Sequence, residues 1–362
     1  MRHCLRLTIA AVGVVLGIAG CAPLQPTPRL LPPRAGEIRG VWVSDTARLN
    51  WDDATSLLRR SGFNAMYVNF ATGGGAFYPD SGVLPHISGM SAREFEHGIQ
   101  LAHKRGIAVH AKLPVMFMLR SPSRFQRKMI AANRVMRGPN GKPVLQAGYT
   151  WLCPSQKANH DLMVACVREI VKRYPVDGVQ FDYIRFNEQP ACFCANCRRS
   201  FEQWQGKSVK HWPDDVLDGP STRRFIEWKQ LIVNQWVHDL GDAARTLRPG
   251  ITVSAAVFHD LDRAREEMAQ NWRYWLEHGW LDYACTMTYM TDLREFEARV
   301  HQQETWARHR QLVVGIGSWK LGSQAALLAQ INVARELGAA GFVLFSYDDA
   351  AEREFLPNLA AQ

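Results

Sequence analysis

The sequence around position 182 carries the clearest signal for chemistry in this chain. It reads Asp177-Gly178-Val179-Gln180-Phe181-Asp182-Tyr183-Ile184-Arg185-Phe186, a largely apolar run in which Asp182 follows a predicted buried strand. A carboxylate there can attack an anomeric carbon, protonate a leaving oxygen or stabilise an oxocarbenium-like transition state. Arg185 can stabilise the charge of Asp182 or bind a carboxylate of the substrate. The alternative is a purely structural ion pair between Asp182 and Arg185.

Four cysteines form a second group of residues with chemical potential. Cys192, Cys194 and Cys197 follow the C-x-C-x-x-C pattern, and Cys153 lies before the predicted helix that leads into the Asp182 strand. Four thiolates are sufficient for a closed tetrahedral zinc site, which is the favoured interpretation. The alternative is two disulfides, which an oxidising compartment permits. In both cases the cysteines would brace the loop after Asp182.

The elements that must position these residues alternate regularly from Glu37 onward. Short β-branched or aromatic runs alternate with amphipathic stretches of helical period, which indicates a parallel sheet. The predicted strands are 38–44, 65–71, 107–115, 178–184, 251–257, 283–289, 312–318 and 341–346. The predicted helices are 51–61, 92–105, 158–173, 222–247, 265–278, 293–308 and 324–337.

Eight strand–helix units predict the α/β class and a single-domain (β/α)8 TIM barrel, with loop insertions after strands three and four. The alternative is an open, doubly wound sheet. Glycines 62, 106, 250 and 279 stand between a predicted helix and the next strand. Each is predicted to take the left-handed conformation that ends a helix.

The active site of a TIM barrel lies at the carboxyl-terminal ends of its strands. A glycosidase normally needs a second carboxyl group beside Asp182, and the candidates are Asp348, Asp45, Asp292 and Asp260, in that order. The other residues predicted to contact a substrate are Asn69, His110, Lys112, Arg185, Tyr289, Asp292, Trp319 and Tyr347. A core hydrogen bond is an equally open interpretation for His110 and Lys112.

The first 36 residues predict export and anchoring. Residues 1–20 have the basic start and short apolar core of a signal peptide, and Ile18-Ala19-Gly20-Cys21 resembles a lipobox, which implies lipidation of Cys21. The alternative is a cleaved signal next to a chance cysteine. Residues 21–36 are proline-rich and predict an extended tether, with the barrel occupying 37–362. Ala22 after the cysteine favours the outer membrane, with the domain facing the periplasm or the exterior.

The formal net charge is +9, and the chain contains 12 tryptophans. An exported basic protein is expected to meet an anionic glycan or lipid headgroups rather than nucleic acid. An ordinary solvated basic surface is the alternative. The tryptophan content favours a carbohydrate ligand, because sugar-binding clefts place aromatic faces against pyranose rings.

Three motifs resemble those of the glycosyl-hydrolase-like family 10 domain. They are Arg39-Gly40-Val41-Trp42-Val43, Asp177-Gly178-x-x-Phe181-Asp182-Tyr183 and Gly341-Phe342-x-x-Phe345-Ser346-Tyr347, and they bracket nearly the whole predicted barrel. The resemblance implies a TIM-barrel lipoprotein that acts on denuded peptidoglycan glycan strands, or on poly-N-acetylglucosamine as wider relatives do. The cysteine pattern is similar to the structural zinc site of family 42 β-galactosidases.

The fourth-strand motif is also similar to that of α-amylase-type barrels, which implies that Asp182 is the nucleophile or the general acid. The chain departs from that pattern because His259 and Asp260 stand where a glutamate would end strand five. It departs from chitinase-type barrels because Ile184 replaces their glutamate. The substrate-assisted chitinase mechanism therefore cannot be transferred intact.

Together these features predict a glycoside hydrolase that acts on an amino-sugar polysaccharide of the envelope. Structural zinc is the only metal expected, and no catalytic cofactor. A non-catalytic glycan-binding lipoprotein on the same scaffold is the main alternative. A metal-dependent deacetylase is disfavoured because no His/Asp metal triad has suitable spacing in the sequence.

Overall fold

Eight parallel strands close into a barrel in the computed structural model, which describes residues 29–88, 90–307, 311–347 and 355–360. The barrel strands are β1 (Ile38–Val43), β2 (Ala65–Asn69), β3 (Ala108–Pro114), β4 (Gly178–Asp182), β5 (Thr252–Phe258), β6 (Tyr283–Thr288), β7 (Leu312–Ile316) and β8 (Gly341–Phe345). Each strand pairs in parallel with the next, and β1 also pairs with β8. The predicted TIM barrel is confirmed, and closure excludes the open doubly wound sheet.

Helices surround the barrel and form its insertions. They are α1 (Trp51–Arg60), α2 (Ala92–Lys104), α3 (Ser123–Ala131), α4 (Lys157–Arg173), α5 (Ala195–Gln205), α6 (Asp214–Leu217), α7 (Thr222–Leu247), α8 (Leu261–Met268), α9 (Trp272–Glu277), α10 (Leu293–Ala307), α11 (Gln324–Glu336) and α12 (Leu356–Ala360). Among the described residues, no helix is both long and apolar enough to cross a bilayer.

One predicted helix is wrong in its extent. Residues 265–278 form parts of α8 and α9 rather than a single helix. Ala269 takes a left-handed φ of +59° and ends α8, while the Asn271 side chain caps the start of α9 by accepting a hydrogen bond from the Tyr274 N–H. Between them, buried Gln270 accepts a hydrogen bond from the Phe258 N–H at 2.7 Å. The break therefore places a polar side chain against the end of β5.

Three of the four glycines predicted to end helices do so, because Gly62, Gly106 and Gly279 directly follow the C-cap residues of α1, α2 and α9. The fourth, Gly250, lies in the turn beyond α7, which ends at Leu247. Gly62, Gly106, Gly250 and Gly279 have φ values of +80°, +70°, +86° and +68°. A side chain is disfavoured in this conformation, which lets the chain turn from a helix into the following strand.

The two predicted insertions lie at the carboxyl-terminal end of the barrel. The insertion between β3 and α4 contains α3 and a small hairpin formed by Leu145–Gln146 and Tyr149–Thr150. The insertion after β4 carries the C-x-C-x-x-C cysteines and leads into α5 and α6. Both insertions therefore stand beside the end of β4, where Asp182 lies.

The chain joins the barrel at the opposite, amino-terminal end. The described part of the predicted tether is not free, because the Leu31 N–H donates to Asn332 Oδ1 at 2.8 Å and Asn332 Nδ2 donates to the Arg29 carbonyl at 2.9 Å. Arg335 forms a two-pronged ion pair with Glu37, at 2.8 and 2.9 Å, and both side chains are buried. Residues 29–31 are therefore held against α11, while the signal peptide and Cys21 are outside the described residues.

Close contact between α1 and α2 depends on a helical glycine. A Cβ atom at Gly98 would lie 2.2 Å from the ring of buried Trp51. At Gly241, inside α7, the nearest atom to such a Cβ would be a Val253 methyl group at 3.5 Å. Of these two helical glycines, Gly98 is therefore the one that packing requires.

Alanine at these two positions is expected to act in opposite directions. Gly241→Ala should stabilise the fold by about 1 kcal/mol, the usual helix-propensity difference. Gly98→Ala should destabilise it by about 1–3 kcal/mol, because Trp51 must move to admit the methyl group. Urea unfolding of both variants measures the difference, and equal effects would contradict the packing role of Gly98.

Candidate active site

Asp182 is the last residue of β4, and its carboxylate forms a buried ion pair. The Lys112 ammonium on β3 lies 2.8 Å from Asp182 Oδ2, and the two side chains are 5% and 8% exposed. The other oxygen, Oδ1, accepts a hydrogen bond from the Tyr183 N–H at 2.7 Å. Each carboxylate oxygen therefore faces a donor, which is the arrangement of an acceptor-only, ionised carboxylate.

The ion pair continues as a line of polar contacts across the first four strands. Lys112 Nζ donates to Asn69 Oδ1 at 3.3 Å, and Asn69 Nδ2 donates to the Ser44 carbonyl at 2.9 Å. Asn69 is the last residue of β2, and Ser44 directly follows β1. Two predicted substrate-contact residues thus hold Asp182 in place.

Arg185 does not pair with Asp182, contrary to one role considered from the sequence. Its guanidinium lies 3.1 Å from Glu188 Oε1 and against the rings of Trp151 and Tyr183, at 5.4 and 5.2 Å from their centroids. The physical reason is the turn after β4, where Tyr183 adopts a φ of +49° and redirects the chain. This conformation is uncommon for a bulky side chain and costs about 1–3 kcal/mol.

A cluster of aromatic side chains surrounds Tyr183, directly after Asp182, and the sequence analysis did not predict it. The Tyr183 ring lies 5.0 Å from Phe117 and 5.3 Å from Trp151, and Phe117 also contacts Tyr149 at 6.4 Å. Phe117 and Trp151 come from the two sides of the β3 insertion and form an isolated antiparallel bridge. The insertion is no richer in aromatic residues than the chain as a whole, so its composition did not signal the cluster.

Two polar atoms in this cluster are buried without a hydrogen-bond partner. They are Nε of Arg185 and Nε1 of Trp151. Buried donors of this kind are normally satisfied. Both therefore count as candidates for donating to a bound ligand.

Tyr289 directly follows β6, at the carboxyl-terminal end of the barrel. Its ring contacts Trp42 at 6.4 Å and Phe345 at 5.5 Å. Burial, followed by the negative charge of Asp182, raises the pKa of Tyr289 well above its usual value. Burial and Asp182 also raise the pKa of Tyr183 to about 12. Both phenols therefore stay protonated at neutral pH and can donate hydrogen bonds.

The candidate second carboxylates have different surroundings. Asp45 Oδ2 lies 3.0 Å from the guanidinium of Arg120, which belongs to the insertion after β3. Asp292 Oδ1 accepts a hydrogen bond from the Glu295 N–H at the start of α10, and Asp260 caps α8 and pairs with Arg299 at 3.0 Å. Both Asp292 and Asp260 therefore act as helix caps, which explains their position in the structure without a catalytic role. Asp348 lies outside the described residues.

The remaining predicted contact residues divide between the two ends of the barrel. The sequence predicted His110 near the carboxyl-terminal end of β3, and this position is wrong. His110 is the third residue of β3 and packs against Gly178 at the start of β4, toward the amino-terminal end of the barrel. Its burial lowers the pKa of His110 to about 4. Trp319 follows β7 and is 49% exposed, and Tyr347 follows β8 with its N–H bonded to the Trp42 carbonyl.

The four cysteines predicted to bind metal do come together. The Sγ atoms of Cys153, Cys192, Cys194 and Cys197 all lie within 4.8 Å of one another, and all four residues are buried. Cys153 Sγ lies 3.7 Å from Cys194 Sγ and 3.5 Å from Cys197 Sγ, so neither pair is a disulfide. The cluster links the β3 and β4 insertions.

The family of the chain can be read from its sequence. Residues 37–322 match the family described as glycosyl hydrolase-like 10. The chain belongs to this family. It is 21% identical to glycosyl hydrolase DigH of Escherichia coli strain K12 over 89% of this chain and 86% of that protein. It is 20% identical to glycosyl hydrolase YngK of Bacillus subtilis over 70% of this chain and 54% of that protein.

Solved structures share the fold of this glycosyl hydrolase-like 10 protein. The glycoside hydrolase domain of PgaB from Bordetella bronchiseptica superposes with a TM-score of 0.70 and 16% identity, covering 90% of this chain and 98% of that chain. A β-galactosidase from Marinomonas ef1 gives 0.63 and 10% identity, covering 86% of this chain and 54% of that one. Family and fold support a protein that acts on glycans.

The buried Lys112–Asp182 pair is expected to be far more important for stability than an exposed pair. Lys112→Met should destabilise this glycosyl hydrolase-like 10 protein by about 3 kcal/mol, because it leaves a buried carboxylate without its counter-charge. The matched control is Lys157→Met, whose ion pair with Asp161 is 85% and 55% exposed. That change should cost less than about 1 kcal/mol. Chemical denaturation tests both values, and similar losses would argue against a buried ion pair.

Proposed function

We propose that this protein is a glycoside hydrolase that cleaves an amino-sugar polysaccharide of the cell envelope, with Asp182 as its catalytic carboxylate. The observation that carries the proposal is the fixed position of Asp182 at the end of β4, between the Lys112 ammonium and the Tyr183 N–H. Carboxylates at this end of a TIM barrel are placed for catalysis. Membership of the glycosyl hydrolase-like 10 family supports the same activity.

Asp182 suits the role of a nucleophile or an electrostatic stabiliser. Its carboxylate pairs with the Lys112 ammonium and accepts the Tyr183 N–H, an arrangement that suits a hydrogen-bond acceptor rather than a proton donor. An ionised carboxylate can instead attack the anomeric carbon or stabilise the positive charge that develops there. Lys112 and Asn69 are positioning residues in this mechanism, because they hold the carboxylate in one orientation.

The proton donor is proposed to be Asp348. It follows β8 by three residues, and β8 lies four strands from β4 in either direction around the barrel. A glycosidase normally needs a second carboxyl group to protonate the leaving oxygen. Asp45 is the alternative proton donor. Its ion pair with Arg120, however, is better suited to a carboxylate that accepts hydrogen bonds than to one that donates a proton.

The substrate is proposed to carry carboxylate groups, as denuded peptidoglycan strands do. The β3 insertion, residues 115–156, contains seven arginines and lysines and no aspartate or glutamate. Arg124, Arg127 and Lys128 on α3 and Lys142 beyond it are exposed at the carboxyl-terminal end of the barrel. This charge would attract an anionic glycan and repel a deacetylated, cationic one.

Glycan cleavage is the experiment that tests the proposed function. Soluble protein beginning at Ala22 should release reducing ends from denuded peptidoglycan faster than from partly deacetylated poly-N-acetylglucosamine. Asp182→Asn and Asp348→Asn should each lower the rate by at least about 100-fold, the scale on which single catalytic groups contribute. Asp292→Asn, which changes only a helix cap, is the matched control and should retain most of the activity.

The outcomes separate the proposed hydrolase from its alternative. Glycan binding by the wild type without any release of reducing ends would support a non-catalytic glycan-binding lipoprotein. Cleavage that persists in Asp182→Asn would contradict the role of Asp182. Faster cleavage of the cationic polymer would contradict the proposed substrate class.

We also propose that the four-cysteine cluster binds structural zinc. Zinc–sulfur bonds of 2.3 Å in a tetrahedron place neighbouring sulfurs about 3.8 Å apart. The observed separations of 3.7 and 3.5 Å fit this value. The Arg137 N–H donates to Cys192 Sγ at 3.2 Å, as backbone donors do to metal-bound thiolates. Bound zinc would hold the β3 and β4 insertions together and take no part in the reaction.

Metal analysis tests the zinc proposal. Protein beginning at Ala22 and purified without chelators should contain about one zinc per chain, and Cys197→Ser should lose the metal and melt at a lower temperature. Cys166→Ser is the matched control, because Cys166 is buried but lies outside the cluster. Absence of metal, together with fewer than six reactive thiols in denatured, unreduced protein, would favour disulfides instead.

The protein is proposed to be lipid-anchored at Cys21, in the outer membrane. The support is the lipobox-like sequence Ile18-Ala19-Gly20-Cys21 and the Ala22 that follows it. A glycan-cleaving domain on such an anchor would work on polymers next to its own membrane.

A further inference from the structure

We infer that the amino-terminal end of the barrel is a docking face for a membrane surface that carries anionic lipids. The inference goes beyond the proposed hydrolase activity and rests only on the proposed envelope location. Three observations carry it, namely the place where the chain joins the barrel, the distribution of charge at that end, and the short length of chain before it.

The chain joins the barrel at a fixed place on its amino-terminal end. Arg335, in the last turn of α11, donates to the Leu31 carbonyl and pairs with Glu37, which directly precedes β1. Asn332, one turn earlier in α11, bonds to Arg29 and Leu31. Because helices of a TIM barrel run opposite to its strands, the end of α11 and the start of β1 lie at the same end of the barrel. The preceding segment must therefore leave from this end.

Exposed basic residues continue from that place around one side of the barrel. Arg59 and Arg60 end α1, Lys104 ends α2 and Lys172 lies in the last turn of α4. All four are exposed, and none has an acidic partner within 4.0 Å in the described part of the chain. Since β1, β2 and β3 are neighbours in the barrel, the ends of α1, α2 and α4 form one continuous arc. We call these four residues the basic arc.

The helix dipole does not account for this arrangement. A basic residue in the last turn is favourable for any helix. Among the described residues, however, α9 has no basic residue in its last turn, and the Arg335 of α11 is buried in its pair with Glu37. The Arg245 in the last turn of α7 pairs with Asp282 at 3.2 Å. In the part of the chain that the structure describes, the exposed basic helix ends without an acidic partner at this end of the barrel are therefore those of α1, α2 and α4. The first of them, α1, comes directly after the joining segment and β1.

The chain between the proposed anchor and the barrel is short. Eight residue steps separate Cys21 from Arg29, which span at most about 28 Å when fully extended. Residues 29–31 add nothing to this length because they are held against α11. A lipid on Cys21 would thus keep the basic arc close to the headgroups, where each arginine or lysine adds attraction.

Docking on this face determines which way the cleft opens. Strand β4 runs from Gly178 at the amino-terminal end to Asp182 at the carboxyl-terminal end. With the basic arc on the headgroups, Asp182 and the β3 insertion face away from the membrane. The cleft would then open toward polymer beyond the membrane surface rather than toward the lipid.

The test uses soluble protein beginning at Ala22, so that no lipid contributes to binding. It should sediment with vesicles of phosphatidylethanolamine and phosphatidylglycerol, and not with vesicles in which phosphatidylcholine replaces phosphatidylglycerol. The variant R59E/R60E/K104E/K172E should bind the anionic vesicles at least about tenfold more weakly. It should still cleave glycan, because none of these residues is near Asp182.

The matched control reverses the same number of charges at the other end of the barrel. R124E/R127E/K128E/K142E should keep vesicle binding within about threefold of the wild type, since it retains the basic arc. Equal loss of binding in both variants would mean that net charge alone attracts the vesicles, and would overturn the docking face. Failure of the wild type to bind anionic vesicles would overturn it as well.

Two further measurements keep the result independent of folding and of catalysis. R59Q/R60Q/K104Q/K172Q removes the charges with little effect on the helix ends, and it should show the same direction of change. Lysine labelling followed by mass spectrometry should show Lys104 and Lys172 protected on anionic vesicles, with Lys128 and Lys142 still reactive. The reverse pattern would overturn the orientation, whereas inactivity on every glycan would affect only the proposed hydrolase.

Discussion

The buried ion pair between Lys112 and Asp182 is the interaction on which the candidate active site depends. Asp182 is directly opposite Pro114 in the register of β3 and β4, so the Lys112 side chain must extend toward the end of the barrel to reach it. Two unpaired charges in that position would each be costly to bury. The pairing of β3 with β4 in this register is therefore what allows Lys112 to neutralise Asp182. Asn69 accepts a further hydrogen bond from the Lys112 ammonium.

The barrel and its insertions contribute differently to the site. Residues on the strands fix the carboxylate, whereas the insertions after β3 and β4 supply the aromatic rings, the basic charge and the cysteine cluster. Cys153 and Cys194 come from different insertions, so their proximity joins the two segments beside Asp182. The aromatic contact between Phe117 and Tyr183 joins the same segments closer to the carboxylate. These links would give loop residues the rigidity that catalysis requires.

The two ends of the barrel differ in the groups that they present. At the carboxyl-terminal end, the turn at Tyr183 and the unpaired donors of Trp151 and Arg185 leave groups available for a ligand. At the amino-terminal end, the pair of Glu37 with Arg335 fixes the chain where it joins the barrel. Chemistry and attachment are thus separated by the length of the strands, which agrees with the general division of function and stability in this fold.

The sequence alone determined the barrel, because alternating strand and helix periods and the left-handed glycines are local properties of the chain. It also identified Asp182 and the four cysteines, whose residue types and spacing restrict their chemistry. Only the tertiary structure decided that Lys112 rather than Arg185 pairs with Asp182, since a left-handed residue at 183 turns the chain away. It likewise placed His110 at the far end of the barrel and brought Phe117 to Tyr183. Partners from different strands depend on register and closure, and no local pattern in the sequence contains them.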